Sequence, residues 1–227
     1  MTGVQTCALP IYLERFAQPP AADVREHVIL SPARLEWEKG HHDILRAVGA
    51  LKRGLVPAPR DAVDGLRLMI VGAGPEEKRL RAHAAELGIA DAVAIGRVPY
   101  DEMPALYSRA SALVLASLPR SGCSLYPGDI PRCFWEEQFG MVLAEAMAAG
   151  VPLIVSTSGA IPEVAGREAE YFAPGDWMSI ARAIAQGPLS RPPATPVEYP
   201  SERLESYSVE AAAGRIAGAF DRVLEGG

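Results

Sequence analysis

Cysteine, aromatic residues and long apolar runs are what this 227-residue chain has least of. Three cysteines are an odd and sparse set, which argues against a disulfide scaffold or a four-ligand zinc site. No apolar run approaches the roughly 18 residues that a spanning helix needs, and the N-terminus lacks the charged-then-apolar plan of a signal peptide. The chain therefore reads as cytoplasmic. There is no basic excess either: 22 Lys and Arg stand against 28 Asp and Glu, for a net charge of −6. Such a balance provides no general field for nucleic acid or an anionic membrane, so any bound phosphate must be held by a few placed groups. No internal repeat is present, which excludes a solenoid or propeller. What remains is 49% hydrophobic and 22% charged content, enough for one large α/β domain or two small ones and too apolar for disorder.

Met1–Ile11, MTGVQTCALPI, carries neither a hydrophobic period nor a charge. The string is similar to the translation of a common short-read sequencing adaptor. On that resemblance residues 1–11 are set aside, Cys7 leaves the cysteine count, and an upstream half is expected to be missing.

From His27 the pattern alternates strand and helix. His27–Ser31 is a continuous apolar run like a buried parallel strand, and Ile44, Leu45, Val48, Leu51 and Leu55 then recur at helical spacing. Pro57–Gly65 reads as a loop, Leu66–Val71 as a strand, and the charged stretch after Gly72-Ala73-Gly74 as a helix with Pro75 in its first turn and Gly88 at its end. Ala92–Gly96, Ala112–Ser117, Pro152–Thr157 and Ala169–Ala173 read as strands. Asp101–Arg109, Phe139–Ala149 and Asp176–Gln186 read as helices. A proline-rich stretch leads to a last helix, Val209–Leu224, with Ser208 placed to cap it and Val209, Ala213, Ile216, Phe220 and Val223 on one face. This alternation predicts a doubly wound parallel α/β sheet, Rossmann-like, with ligands at the carboxyl ends of the strands.

The chemistry-bearing residues fall at those ends. Arg34 and Lys39, in RLEWEKG, follow the first strand, where a guanidinium, an ammonium and the helix opened by Gly40 can meet a diphosphate; two ordinary surface cations would look the same. Gly72 and Gly74 invite a dinucleotide reading, but the third glycine of that fingerprint would fall at Glu77. The pair fits a tight turn and close approach of a nucleoside better. Glu145 is the only charge from Met141 to Gly150, so its carboxylate must accept hydrogen bonds or act as a loop cap. Glu137 lies eight residues earlier, about 12 Å away if helical, too far to share one proton or flank one bond. Between them the amides of Phe139, Gly140 and Met141 form a helix N-terminus suited to an anion. Carboxylate, anion site, carboxylate is the order of hexose, diphosphate and ribose.

Taken together, RLEWEKG, IVGAGP, LYSRASALVLAS and EEQFGMVLAEAMAAGVPLIVSTSGAIPEV resemble the C-terminal, donor-binding half of retaining glycosyltransferases of family 4, with the GT-B fold, over about Leu13 to Leu224. The resemblance implies a nucleotide sugar such as UDP- or GDP-hexose as substrate, no cofactor and no metal. The absence of an Asp-x-Asp agrees with that. It implies Arg34, Lys39 and Glu137 as catalytic, the cations at the departing diphosphate and Glu137 on sugar hydroxyls. Donor binding would fall to Gly72, Gly74, Arg97, Val98, Phe139, Gly140, Met141, Val142 and Glu145, with Glu145 on the ribose and 96–98 beside the base. On this expectation 12–26 is a remnant of the interdomain linker, 27–187 the nucleotide-sugar-binding domain, 188–207 a linker and 208–227 the C-terminal helix. The acceptor domain would be missing, the acceptor unknown, and the fragment alone inactive, with peripheral attachment to the inner face of a membrane left open for the full enzyme. None of the four histidines is drafted for catalysis. Residues 118–135, with Pro119, Arg120, Cys123, Pro127, Pro131, Arg132, Cys133 and Trp135, read as an insertion acting either as a flap or acceptor contact, or as a decoration. Two other readings stay open: a stand-alone non-catalytic nucleotide-binding or regulatory module, settled by the upstream reading frame, and a nicotinamide-dependent dehydrogenase, which leaves Glu137 and Glu145 unexplained.

Overall fold

The computed structural model describes residues 11–21, 24–119 and 136–225. In chain order the elements are α1 (Leu13–Phe16), β1 (His27–Pro32), α2 (His41–Lys52), α3 (Arg60–Asp64), β2 (Leu66–Val71), α4 (Glu77–Glu86), β3 (Val93–Gly96), α5 (Met103–Tyr107), β4 (Ala110–Leu115), α6 (Met141–Ala148), β5 (Leu153–Ser156), α7 (Ile161–Ala165), β6 (Glu170–Phe172), α8 (Trp177–Gln186), α9 (Ser201–Ser206) and α10 (Val209–Glu225).

The six strands form one sheet in the order β3-β2-β1-β4-β5-β6, and every pairing is parallel. Successive side chains alternate between two apolar layers. Ile29, Val114 and Ile154 enter a core with α2, α4 and α8, while Leu30, Leu113 and Val155 enter a second core with α5, α6 and α7. Burial on both faces is why these strands read as unbroken apolar runs. The result is the Rossmann-like, doubly wound α/β sheet expected from the alternation. Its order reverses between β1 and β4, so the loops leaving these neighbours diverge and open a crevice at their carboxyl ends.

Several local expectations are corrected. Leu55 is 60% exposed and lies past the end of α2, and the 57–65 loop contains a turn of helix, α3. Pro75 precedes α4 rather than entering it. The 101–109 segment is a 3-10 turn, Tyr100–Glu102, followed by α5. The fourth strand is Ala110–Leu115, two residues earlier than read, and α6 begins at Met141 because Gly140 before it is left-handed. Ile161–Ala165, unassigned from sequence, is helical. The segments before and after the sheet are packed against it. Phe16 is fully buried, Ile11 donates its amide to the Tyr207 carbonyl, and Tyr199 reaches back to the Val151 carbonyl at 2.8 Å. Residues 1–10 with Cys7, and 120–135 with Cys123 and Cys133, lie outside the described residues. No described helix is long and apolar enough to cross a membrane.

Candidate donor site

A cleft of about 680 Å³ opens at the β1/β4 reversal, walled by Pro32, Leu115, Arg34, Lys39, Glu137 and residues 138–142. Seven of the residues singled out from sequence meet there: Arg34, Lys39, Glu137, Phe139, Gly140, Met141 and Val142. They arrive from two loops 98 positions apart in the chain, yet Lys39 Nζ donates to Glu137 Oε2 at 2.7 Å. Both groups are 8% exposed. Removing Lys39 takes the ion-pair partner from a buried carboxylate, which costs more than losing an exposed pair. The Ser117 hydroxyl donates to the same carboxylate oxygen at 2.8 Å.

Backbone contacts hold this wall in place. Gly40, left-handed at φ 66°, opens α2, and a Cβ there would fall 2.0 Å from the Ala116 carbonyl oxygen. Only glycine lets the Lys39 loop lie this close to the end of β4. The Leu118 amide bonds the Glu38 carbonyl, and the hydroxyls of Ser156 and Ser158 donate to the carbonyls of Ser117 and Leu118. Opposite, Gly140 at the start of α6 offers no capping side chain, and the first turn of that helix borders the cleft. Its amide dipoles add positive potential to that of the cations.

Arg34 projects from the rim, its side chain 62% exposed, with Glu36 and Glu38 at 3.7 and 3.6 Å. At those distances the attachments are loose. Gly72 and Gly74 sit beside its backbone. A Cβ at Gly72 would fall 1.9 Å from the Ala33 carbonyl oxygen, and one at Gly74 would fall 2.3 Å from that of Leu35. The close approach that a Cβ would block at both glycines is that of the 33–35 loop. Arg97 is exposed and Val98 half-buried just beyond β3, on the same edge of the sheet but outside the cleft lining.

Glu145 also lies outside that lining. It is 3% exposed, and Tyr107 donates its hydroxyl to Oε2 at 2.8 Å, with Tyr100 as a second donor. Burial pushes the carboxyl pKa up while the two phenols pull it back. The same contacts, after burial, raise Tyr107 well above a phenol's usual range and Tyr100 to about 12. Two tyrosines therefore supply the hydrogen bonds that a carboxylate in an apolar helix requires. Ser117, His41, Tyr100 and Tyr107 were not singled out from sequence. The available signals were hydroxyls inside apolar runs and a histidine directly after the glycine that opens α2. Among the described residues no group of three or more His, Cys, Asp or Glu is arranged to hold a metal ion.

Comparison with known proteins agrees with this architecture. Residues 14–190 match the family model described as glycosyl transferases group 1. The GDP-mannose-dependent alpha-(1-6)-phosphatidylinositol monomannoside mannosyltransferase of Mycobacterium tuberculosis is 33% identical over 160 residues, covering 66% of this chain and 37% of that protein. Sucrose-phosphate synthase from Thermosynechococcus elongatus superposes with a TM-score of 0.70 at 22% identity, over 96% of this chain and 52% of its own. Anabaena HepE, solved with UDP and glucose, superposes at 0.68 and 17% identity, over 93% and 55%. The chain thus spans well under two thirds of each of these three proteins. With a family model covering most of its length and a sheet whose strand ends gather the cations, carboxylate and helix N-terminus of one cleft, the chain belongs to the glycosyl transferases of group 1.

Proposed function

We infer that this chain holds the donor of a retaining hexosyl transfer, a nucleoside-diphosphate sugar, in the β1/β4 cleft. The carrying observation is that Arg34, Lys39, Glu137 and the start of α6 line one cavity at the strand-order reversal. UDP in HepE and GDP-mannose in the mannosyltransferase's name support the ligand class.

On this reading the diphosphate lies between the two cations and the α6 amides, and the sugar hydroxyls meet Glu137. Glu145 serves the ribose, which requires that the ligand displace the Tyr107 and Tyr100 hydroxyls from its carboxylate, with the base toward Arg97 and Val98. As the bond from the sugar's anomeric carbon to the phosphate oxygen breaks, its electron pair leaves with the diphosphate. The acceptor hydroxyl oxygen bonds that carbon on the same face and passes its proton to the departing diphosphate oxygen. Charge grows on the departing diphosphate, so fixed cations aimed there favour the transition state over the ground state. On this reading the two cations and the α6 amides neutralise that charge without a metal ion.

Calorimetric titration of the 227-residue chain with UDP and with GDP, without divalent metal, tests this. Binding is expected for one of them, weakened about tenfold in Arg34→Ala and lost in Glu145→Ala, with Glu145→Gln as the better-folded companion. No binding of either nucleotide refutes the reading, and unchanged affinity in both Glu145 variants removes the ribose assignment alone.

A further inference from the structure

His41 is 2% exposed, on the first turn of α2 directly behind the cleft loop. Its Nε2 lies 3.3 Å from the Arg34 carbonyl oxygen and its Nδ1 lies 3.1 Å from the Ser31 hydroxyl. A carbonyl can only accept, so Nε2 carries the hydrogen and Nδ1 accepts from the serine. One neutral tautomer satisfies both contacts. Burial, with smaller contributions from His42 and Lys39, outweighs the raising effect of the Arg34 carbonyl and holds the pKa at about 4. The ring therefore stays neutral, and its donor stays in place, across the physiological range.

The peptide unit that follows Arg34 is consequently fixed at both ends. Its carbonyl accepts from His41, and also from the Glu36 amide at 2.8 Å, while its N–H, that of Leu35, donates to the Ala73 carbonyl at 2.9 Å. Ala33 N–H reaches Val71 across from it at 3.0 Å. Orienting this plane sets ψ of Arg34 and with it the direction in which a long, loosely attached side chain leaves the backbone. Among the described residues the carboxylates that reach the Arg34 guanidinium are loosely placed, at 3.6 and 3.7 Å.

From this geometry we propose that His41 is a positioning residue for Arg34, aiming the guanidinium at the diphosphate of a bound nucleotide. The assignment rests on the donor-site reading above. It distinguishes His41 from Lys39 and Glu137, which face the cleft themselves.

Two substitutions of similar polarity separate this role from simple packing. In His41→Gln the amide nitrogen reaches the Nε2 position and can still donate to Arg34. In His41→Asn the shorter side chain reaches Ser31 but stops short of the Arg34 carbonyl. The 227-residue chain and both variants are titrated calorimetrically with UDP, GDP and inorganic pyrophosphate at a temperature where circular dichroism shows each folded. H41Q is expected within about twofold of the parent, and H41N about tenfold weaker. H41N added to Arg34→Ala is expected to cost nothing further, because an imidazole acting through Arg34 has nothing left to aim. Equal affinities for H41Q and H41N, or an undiminished loss in the Arg34→Ala background, overturn the proposal while leaving the donor site standing. If the parent binds neither nucleotide, both fall.

Discussion

Glu145 shows what one carboxylate demands of an apolar helix. Burial raises its pKa above the ordinary carboxylate value, and the Tyr107 and Tyr100 hydroxyls limit the rise. A carboxyl with a raised folded pKa favours the protonated form, so its contribution is present below the unfolded value of 4.5 and is lost as pH climbs through the folded value. Tyr107→Phe removes a donor to the charged form and raises that pKa further. Its destabilisation should therefore be larger at pH 8 than at pH 5, by about 1–2 kcal/mol. Urea unfolding at the two pH values checks this, and a pH-independent loss would show that the phenol acts by packing alone. His41, His27 and His83 run the other way: their pKa values are lowered, so their contribution is complete above the unfolded value of 6.5 and lost as pH falls through the folded one. Comparing each variant with its parent at the same pH cancels them. The need for partners at Glu145 was legible in the sequence, since a lone charge among apolar residues must be satisfied. Their identity was not: Tyr107 lies 38 positions upstream, and nothing in LYSRAS marks where its hydroxyl points. Arg34 and Lys39 were legible because they follow the end of the first strand, and Glu137 because it stands just before the helix N-terminus at residues 139–141.

At the scale of elements, all six strands were readable from apolar runs, with ends displaced by a residue or two. Helices of two turns or more were readable from their period, and five-residue α5 was read within a longer segment, but α3 and α7 were not, because a single turn carries no repeat to detect. The start of α6 was misplaced because Phe139 continues the apolar pattern while left-handed Gly140 interrupts the backbone. Helix α8 shows a boundary that chemistry marks clearly. Asp176 accepts from the Ser179 amide at 3.0 Å and from its hydroxyl at 2.6 Å, which pull its carboxyl pKa below the usual value. A lowered carboxylate pKa contributes stability above the unfolded value of 3.8 that is lost as pH falls through the folded one. Asp176→Ala should cost about 1 kcal/mol near neutral pH, through the helix whose Ile180 and Ile184 fill one layer of the core. Chemical denaturation at pH 7 measures it. A loss below a few tenths of a kcal/mol would mean that packing alone fixes the end of α8.

The whole molecule buries its sheet on both faces yet leaves one long element poorly covered. Helix α10 starts well: Ser208 accepts from the Ala211 amide at 3.1 Å, Arg215 reaches back to the Ser206 carbonyl, and Ala212 is buried. Farther along, the apolar side chains meet solvent, with Ile216 50%, Phe220 66% and Leu224 79% exposed. They recur at intervals of four and share one face; Ile216 and Phe220 belong to the face read from sequence, and Leu224 follows one helical turn later. Covering a side chain of this size contributes about 1.5–3 kcal/mol, so three in a row make a face that favours contact with another apolar surface. With a net charge of only −6 over 227 residues, repulsion between copies offers modest opposition. The chain on its own should therefore self-associate as its concentration rises, visible in sedimentation velocity as a boundary that shifts to larger coefficients. Phe220→Glu, on an exposed turn away from both core layers, should restore a monomer without lowering the melting temperature by more than a degree or two. A parent that sediments as a single monomeric species at high concentration would refute the expectation. Association that persists in Phe220→Glu would move its origin from α10 to another surface.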